Sequence, residues 1–387
     1  MASFEALIQG PTGIALRDSS GQPKYEQLRD FVAQQIEQGQ LPAGEALPPE
    51  ARISETLGIA RSTVRQALST LEREGLIRRI HGKGTFIHEQ ARQRLQKGQD
   101  LFALIIPETS AGFYPSLQMS FEEAAAGFHN QVIICNSNNE IDKQGNSILQ
   151  LMDLNVAGVA IVPTTNPPTP AFHVRQLRER GIPVVCCSRP IEGVQAPLLS
   201  IPFEEVGSEA GKLIREAGHQ HVLFLTGTKS DAGTAYEIGF RQALGPRVQV
   251  ETYYGTNPNP DVTIQEAELA AELERQFAQP APPTAIFASF DSLAELAFVL
   301  LSRLGLRVPE DVSLVGFGGS RRQGALTSRL TSITVDEAKM GHEAIELLEQ
   351  MRAGALPLTC HEVRMMPLGV SEGRTLSHPK KKSELLT

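Results

Sequence analysis

The chain has 387 residues, of which 41% are hydrophobic and 21% are charged, and its formal net charge at pH 7 is −8. This length predicts two or three domains, and the composition excludes a disordered, fibrous or membrane-spanning chain. The four cysteines lack C-x-x-C spacing, and Glu5 stands where a leader peptide would carry positive charge. We therefore expect a cytoplasmic protein with no structural metal and no membrane partner.

The charge is distributed unevenly along the sequence. Residues 52–97 contain ten basic and four acidic side chains, so a small basic module is attached to a large acidic remainder. A basic module of this kind is typical of nucleic-acid-binding domains, although a solvated charged surface has the same composition. The motifs within the module decide between these two interpretations.

Apolar spacing predicts a small domain over residues 21–90, preceded by a flexible arm at residues 1–20. Its predicted elements are helices at residues 25–36, 51–57 and 64–71 and strands at residues 76–80 and 85–87, which form a hairpin. Three helices followed by a hairpin indicate a winged helix-turn-helix domain.

The third helix presents hydrogen-bonding groups on its outer side. Because Val64 and Leu71 face inward, Arg61, Arg65 and Gln66 face outward. Arg and Gln side chains near the amino end of an exposed helix can enter a major groove and form paired hydrogen bonds with guanine or adenine.

Other groups in this domain suit the phosphate backbone of DNA. Ser62 and Thr63 offer hydroxyl and backbone N–H groups at the start of the helix, and Lys83 lies in a glycine-rich turn that can approach a duplex closely. These contacts would position the domain without reading the sequence of the bases.

The domain resembles the GntR winged-helix family over residues 21–88. The resemblance is carried by Leu47-Pro48-Pro49-Glu50 and by residues 57–68, 71–77 and 81–86. Two positions depart from the family, because Ala51 replaces a usual arginine and Ala60 replaces the usual Ser or Thr helix cap. The resemblance implies a double-stranded DNA operator as partner. With the chemistry above, the predicted DNA contacts are Arg52, Arg61, Ser62, Thr63, Arg65, Gln66, His81, Gly82 and Lys83.

The remainder of the chain has the pattern of an α/β domain. Residues 91–100 are polar and predict a linker, whereas residues 101–373 alternate short apolar runs with amphipathic segments. This alternation predicts parallel sheets, and the length favours two Rossmann-like lobes with a cleft between them. Residues 374–387 end in a lysine-rich stretch, and we expect them to form a disordered basic tail.

This large domain resembles the effector domain of the LacI/GalR family, which is related to periplasmic sugar-binding proteins. The resemblance is carried by residues 102–107, 180–185, 305–317 and 330–333, among other segments. A GntR head on such a domain is the organisation of arabinose-repressor-like hybrid regulators. This organisation implies a homodimer that binds a palindromic operator. It also implies that closure of the lobes on a small molecule changes the affinity for that operator. The chain would cross between lobes near residues 196–202 and 326–334, giving residues 101–197 and about 330–355 to the first lobe.

The cleft positions differ from those of the family. The family places polar side chains where this chain has Phe203, Tyr236 and Gly318, and only Arg189 and Asp291 keep the family's character. A buried sugar hydroxyl without a partner costs about 1–3 kcal/mol, yet an aromatic face can still stack on a sugar ring. A sugar, another small molecule and no physiological ligand therefore all remain open. The predicted ligand contacts are Phe113, Tyr114, Ser188, Arg189, Phe203, Tyr236, Phe290 and Asp291.

No motif predicts a catalytic residue, a cofactor or a metal ligand. Residues 226–230 lack the spacer of a phosphate-binding loop, and Cys186 and Cys187 have no histidine partner indicated by the sequence. We therefore expect a DNA-binding transcriptional regulator, of repressor type and without enzymatic activity, that responds to a small molecule. A cytosolic small-molecule binding protein with an incidental basic module, or a regulator that has lost its ligand response, is the alternative.

Overall fold

The computed structural model describes residues 4–9, 14, 16, 22–80, 82–89, 91–96, 101–109, 113–165, 167–227, 229–255, 262–320 and 326–380. The chain divides into two compact units, Met1–Asp100 and Leu101–Thr387. No helix in the described part of the chain is both long and apolar enough to cross a bilayer.

The first unit is a winged helix-turn-helix domain, as the sequence predicts. Its helices are α1 (Phe4–Gln9), α2 (Lys24–Glu37), α3 (Glu50–Leu57), α4 (Arg61–Arg73) and α5 (Ala91–Gln96), and its strands are β1 (Ala46–Leu47), β2 (Ile77–Ile80) and β3 (Gly84–Ile87). The strands form an antiparallel sheet in the order β1-β3-β2. One apolar core unites the helices, with Val32, Val64 and Leu71 fully buried in it.

Two short helices of this unit lie where the sequence predicts an arm and a linker. The expected flexible arm is wrong for α1, because Phe4, Leu7 and Ile8 are buried in the same core as α2 and α4. The expected linker at residues 91–100 begins with α5, whose Ala91 is also buried in that core. Apolar residues one helical turn apart give both segments a face that packs on the domain.

The second unit contains two α/β lobes, as expected. Its helices are α6 (Tyr114–Gly127), α7 (Ile141–Leu154), α8 (Ala171–Glu179), α9 (Phe203–Glu216), α10 (Asp231–Leu244), α11 (Val262–Phe277), α12 (Asp291–Arg303) and α13 (Glu337–Arg352), with a short 3-10 helix at Thr327–Arg329. Its strands are β4 (Leu101–Ile106), β5 (Gln131–Asn136), β6 (Gly158–Ile161), β7 (Val184–Ser188), β8 (Leu198–Ser200), β9 (His221–Thr226), β10 (Gln249–Tyr254), β11 (Ala285–Ala288), β12 (Ser313–Gly319), β13 (Thr331–Val335), β14 (Val363–Met365) and β15 (Leu368–Ser371).

Each lobe is built on one six-stranded sheet. The first lobe has the order β14-β8-β7-β6-β4-β5 with all strands parallel. The second lobe has the order β10-β9-β11-β12-β13-β15, in which only β15 runs antiparallel to its neighbour. The central strands β6, β11 and β12 are buried throughout their lengths, which explains their continuous apolar sequences.

The chain crosses between the lobes three times in the described residues: after β8, between β13 and α13, and between β14 and β15. The expected boundary near residue 330 is wrong, because β13 pairs with β12 and so belongs to the second lobe. The third crossing was not predicted, since β14 and β15 are too short to produce a periodic pattern.

The expected disordered tail is wrong for residues 374–380, which bind to the second lobe. Thr375 is buried, its hydroxyl donates to the Leu314 carbonyl (2.6 Å), and it accepts from the Thr331 N–H (2.9 Å). His219 Nε2 lies 2.9 Å from the Ser377 carbonyl oxygen. These hydrogen bonds involve ordinary polar residues with no apolar periodicity, so the sequence pattern gave no sign of them. Residues 381–387 lie outside the described part of the chain.

Glycines allow α9 and α10 to pack in close contact. A Cβ atom on Gly207 would collide with the carbonyl oxygen of Tyr236, and one on Gly239 would collide with that of Glu204. A Cβ atom on Gly211 would lie 2.8 Å from the Phe240 carbonyl oxygen. The helices therefore approach each other backbone to backbone.

Replacing Gly207 by alanine should destabilise the second unit by about 1–3 kcal/mol, because the added methyl group has no space and forces the backbones apart. Gly127→Ala is the matched control, since a Cβ atom there meets nothing within 4 Å. We expect that control to change stability by less than about 1 kcal/mol. Urea unfolding followed by circular dichroism measures both, and equal stabilities of the two variants would contradict the packing described here.

Candidate DNA interface and interlobe cleft

The helix α4 presents the predicted DNA-contacting residues on one face. Arg61, Ser62, Arg65 and Gln66 are exposed and Thr63 is half-buried. The helix begins at Arg61 after Ala60, which supplies no side-chain cap, so Ser62 lies within the first turn and does not replace the missing cap. The exposed face can therefore offer guanidinium, amide and hydroxyl groups to a duplex.

A glutamate from the neighbouring helix holds one of these arginines. Arg65 Nε lies 3.2 Å from a carboxylate oxygen of Glu50 at the start of α3. The other oxygen of Glu50 lies 3.5 Å from Arg79 of β2. Glu50 thus connects α4 with the hairpin, a contact that the sequence pattern did not reveal because the two arginines lie far from Glu50 in sequence.

The hairpin β2–β3 forms the wing. Gly82 and Lys83 are exposed at its tip, and Gly82 and Gly84 have φ angles of 73° and 119°, which glycine adopts without strain. His81 lies outside the described residues. Arg52 of α3 is exposed and belongs to the same basic unit.

The interlobe cleft is defined here by the eight residues predicted to contact a ligand. Ser188 and Arg189 lie at the carboxyl end of β7, and the other six residues lie immediately before a helix or within its first two turns. The carboxyl ends of parallel strands are where α/β folds bind ligands. Phe113, Tyr114, Ser188 and Arg189 come from the first lobe, and Phe203, Tyr236, Phe290 and Asp291 come from the second.

Arg189 is the charged centre of this cleft. Its guanidinium lies close enough to the Tyr114 hydroxyl to affect the pKa of that group. Burial raises the pKa of Tyr114 and of Tyr236, and the positive charge of Arg189 opposes the rise at both hydroxyls. Arg189 therefore faces a phenol from each lobe, and both phenols stay neutral at physiological pH.

The aromatic residues predicted to contact a ligand pack in the core beside Arg189. Phe113 and Tyr114 have ring centroids 4.4 Å apart. Phe203 and Tyr236 lie edge to face at 5.2 Å, and Tyr236 also lies 5.7 Å from Phe317. The close approach of α9 and α10 at the glycines described above brings Phe203 and Tyr236 together.

The carboxylate of Asp291 makes a hydrogen bond within the second lobe. It is 5% exposed, and one carboxylate oxygen accepts a hydrogen bond from the Ser332 hydroxyl (2.7 Å). A Cβ atom on Gly316 or Gly318 would collide with this carboxylate, so β12 needs glycine at these positions. Among the described residues, no ion pair joins Asp291 to Arg189.

The sequence analysis missed a contact between the lobes. Glu337 begins α13 in the first lobe and is fully buried. Its carboxylate accepts from the backbone N–H (2.7 Å) and the hydroxyl (3.0 Å) of Ser320, which follows β12 in the second lobe. No sequence signal pointed to this pair, because a glutamate in the first turn of a helix is ordinarily a solvent-exposed residue.

The described residues contain no group of three or more His, Cys, Asp or Glu side chains placed to hold a metal ion. Burial raises the pKa of Cys186 to about 12, so this thiol is not a nucleophile at neutral pH.

Comparison with known proteins assigns both units. Residues 24–87 match the family described as bacterial regulatory proteins, gntR family, and residues 199–376 match the periplasmic binding protein-like domain. A winged helix-turn-helix head with such a domain defines a class of bacterial transcriptional regulators. This chain combines a gntR-family head with a periplasmic binding protein-like domain.

Relatives align with most of the chain, and solved structures align with a part of it as long as the second unit. The chain is 27% identical to the arabinose metabolism transcriptional repressor of Geobacillus stearothermophilus, over 85% of this chain and 91% of the relative. It is 25% identical to catabolite control protein A of Priestia megaterium, over 74% of this chain and 82% of the relative. A periplasmic binding protein/LacI transcriptional regulator from Alkaliphilus metalliredigens, solved in complex with D-xylulofuranose, aligns with a TM-score of 0.60 at 19% identity, covering 72% of this chain and all of that structure.

Arg65→Ala should weaken binding to the preferred DNA site by about 1–3 kcal/mol and relax base preference, because a paired contact to a base edge carries discrimination. Lys83→Ala should weaken binding to all duplexes alike. Fluorescence anisotropy with the selected site and a scrambled duplex measures both effects. Arg247→Ala, at an exposed arginine of the second unit, removes the same charge elsewhere. If Arg65→Ala behaved like this control, α4 would not be the reading helix.

Proposed function

We propose that this protein is a transcriptional repressor that binds a palindromic operator as a homodimer and changes its operator affinity when a small molecule occupies the interlobe cleft. The exposed face of α4, with Arg61, Arg65 and Gln66 beside a basic wing, is the observation that carries the proposal. The relatives are named as transcriptional repressors and regulators, which supports action by binding and not by catalysis.

In this proposal the recognition helix enters the major groove. Arg65 and Gln66 read base edges, while Ser62, Thr63 and Lys83 contact phosphates and fix the register of the domain. On DNA, Arg65 exchanges its exposed ion pair with Glu50 for contacts to a base. An exposed ion pair is worth only about 0–1 kcal/mol, so little stability opposes this exchange.

The effector acts by stabilising one arrangement of the lobes. A ligand that contacts Arg189 in the first lobe and Tyr236 in the second binds more tightly when the lobes are closed, and it therefore shifts the population toward closure. The pair of Glu337 and Ser320 is made across the same boundary, so it favours the closed arrangement before a ligand arrives.

The central test is DNA selection by the full-length protein followed by sequencing. We expect a palindromic motif, and for that motif the logarithm of affinity should fall with the logarithm of salt concentration at a slope near −0.9 per phosphate neutralised. A small-molecule binding protein with an incidental basic module would select no motif. That outcome would reject the regulator function.

The active form should be a symmetric dimer, because one winged helix reads too few base pairs for genomic specificity and two-fold pairing doubles the site. Sedimentation of the full chain at micromolar concentration should give a dimer, and a full palindrome should bind far more tightly than an isolated half-site. A monomer in solution that binds a half-site as well as the palindrome would contradict this expectation.

A further inference from the structure

In the described part of the chain, the guanidinium of Arg189 has no carboxylate as an ion-pair partner. Its Nε is buried and makes no hydrogen bond among the described residues, and no carboxylate in that part of the chain forms an ion pair with it. Its neighbours include the Tyr114 and Tyr236 hydroxyls, which are neutral because burial raises the pKa of both groups. By contrast, Arg364, which is also half-buried, pairs with both Glu343 and Glu362. Removing a cation from water without a counter-charge is unfavourable, so Arg189 is poised to take an anion.

Ser188, the residue before Arg189, is unusual in its backbone conformation and in its hydroxyl group. Ser188 has a φ angle of 72°, in the left-handed region, and its hydroxyl is buried without a hydrogen-bond partner among the described residues. A serine at this φ is strained, and such strain is concentrated at ligand sites. The Ser188 carbonyl accepts from the Ile201 N–H at 3.0 Å, which holds the backbone in this conformation. Ser188 and Arg189 thus each have a buried hydrogen-bond donor with no partner among the described residues.

The residues predicted to contact a ligand offer more donors than carboxylate acceptors, and a further carboxylate nearby in the described residues is that of Glu108, which acts on the Tyr114 hydroxyl. Arg189 has five N–H donors and no acceptor. Asp291 is the one carboxylate predicted to contact a ligand, and the Ser332 hydroxyl occupies one of its oxygens while the glycines of β12 pack against it. A neutral sugar brings hydroxyl donors that need acceptors, whereas an oxyanion brings acceptors and no donors. The groups that line the cleft therefore match an oxyanion better than a free sugar.

We propose that the effector of this protein is a small organic anion whose carboxylate or phosphate accepts hydrogen bonds from Arg189 and Ser188, with its body against the rings of Tyr114 and Tyr236. This inference rests on the proposed function and specifies the ligand class of the same cleft. A planar guanidinium binds carboxylate and phosphate in the same two-point geometry, so both sources share one chemistry.

The test compares matched pairs of neutral and anionic compounds on the full-length protein at constant ionic strength. The pairs are D-glucose with gluconate and glucose 6-phosphate, and benzyl alcohol with benzoate and phenyl phosphate. Isothermal titration calorimetry measures affinity and thermal unfolding measures stabilisation. We expect the anionic member of at least one pair to bind about ten- to hundredfold more tightly than its neutral counterpart, as charge-assisted hydrogen bonds imply. The carboxylate and phosphate arms identify which oxyanion is preferred.

Three variants locate the effect. Arg189→Gln should abolish the preference for the anionic member, and the surface control Arg247→Gln should keep it. Arg189→Lys keeps the positive charge but loses the planar pair of guanidinium donors, so it should reduce the preference for the anionic member about tenfold. This variant provides a second measurement if Arg189→Gln unfolds.

The proposal is overturned if neutral members bind as tightly as anionic ones, if no anion binds, or if the preference survives in Arg189→Gln. These failures are separate from failure of the regulator function, because operator binding is measured without ligand. Salt-dependent operator binding with no anion preference rejects only the ligand class. Loss of operator specificity in the unmodified protein rejects the function itself.

Discussion

Burial of the parallel strands on both faces is the constraint on which the second unit depends. Strands such as β6 and β11 have no exposed residue, so helices must cover both sides of each sheet. Most strands then lead into an α-helix by a turn at the carboxyl end of the strand. In both lobes, these turns carry the polar and aromatic residues that are predicted to contact a ligand. The predicted cleft lies where the turns of the two lobes face each other.

The first unit follows from sequence pattern to a large extent. The inward spacing of Val64 and Leu71 predicts α4 and the outward position of Arg65, and the structure confirms this face. The tip of the wing follows from glycines that adopt positive φ. The helix α1 was not predicted because it has only six residues. A segment of that length is too short for apolar periodicity to distinguish a helix from an irregular arm.

The cleft was less accessible to sequence reasoning. The resemblance correctly brings Tyr114, Arg189 and Tyr236 into one neighbourhood, because strand order fixes where each turn lies. The sequence could not show that Asp291 is committed to Ser332 or that Glu337 reaches Ser320. Both pairs depend on residues distant in sequence whose contact is decided by the relative placement of β12, β13 and α13, and no local pattern encodes that placement.

The return of the chain end to the second unit has a consequence for synthesis. Strand β14 completes the sheet of the first lobe, and Thr375 completes the hydrogen bonding of β12 and β13 in the second. Neither lobe can therefore reach its final form until β14 and Thr375 have left the ribosome. The core of the first unit is complete by α5, so it can fold during translation. A nascent chain would acquire its basic surface before the cleft that regulates it exists.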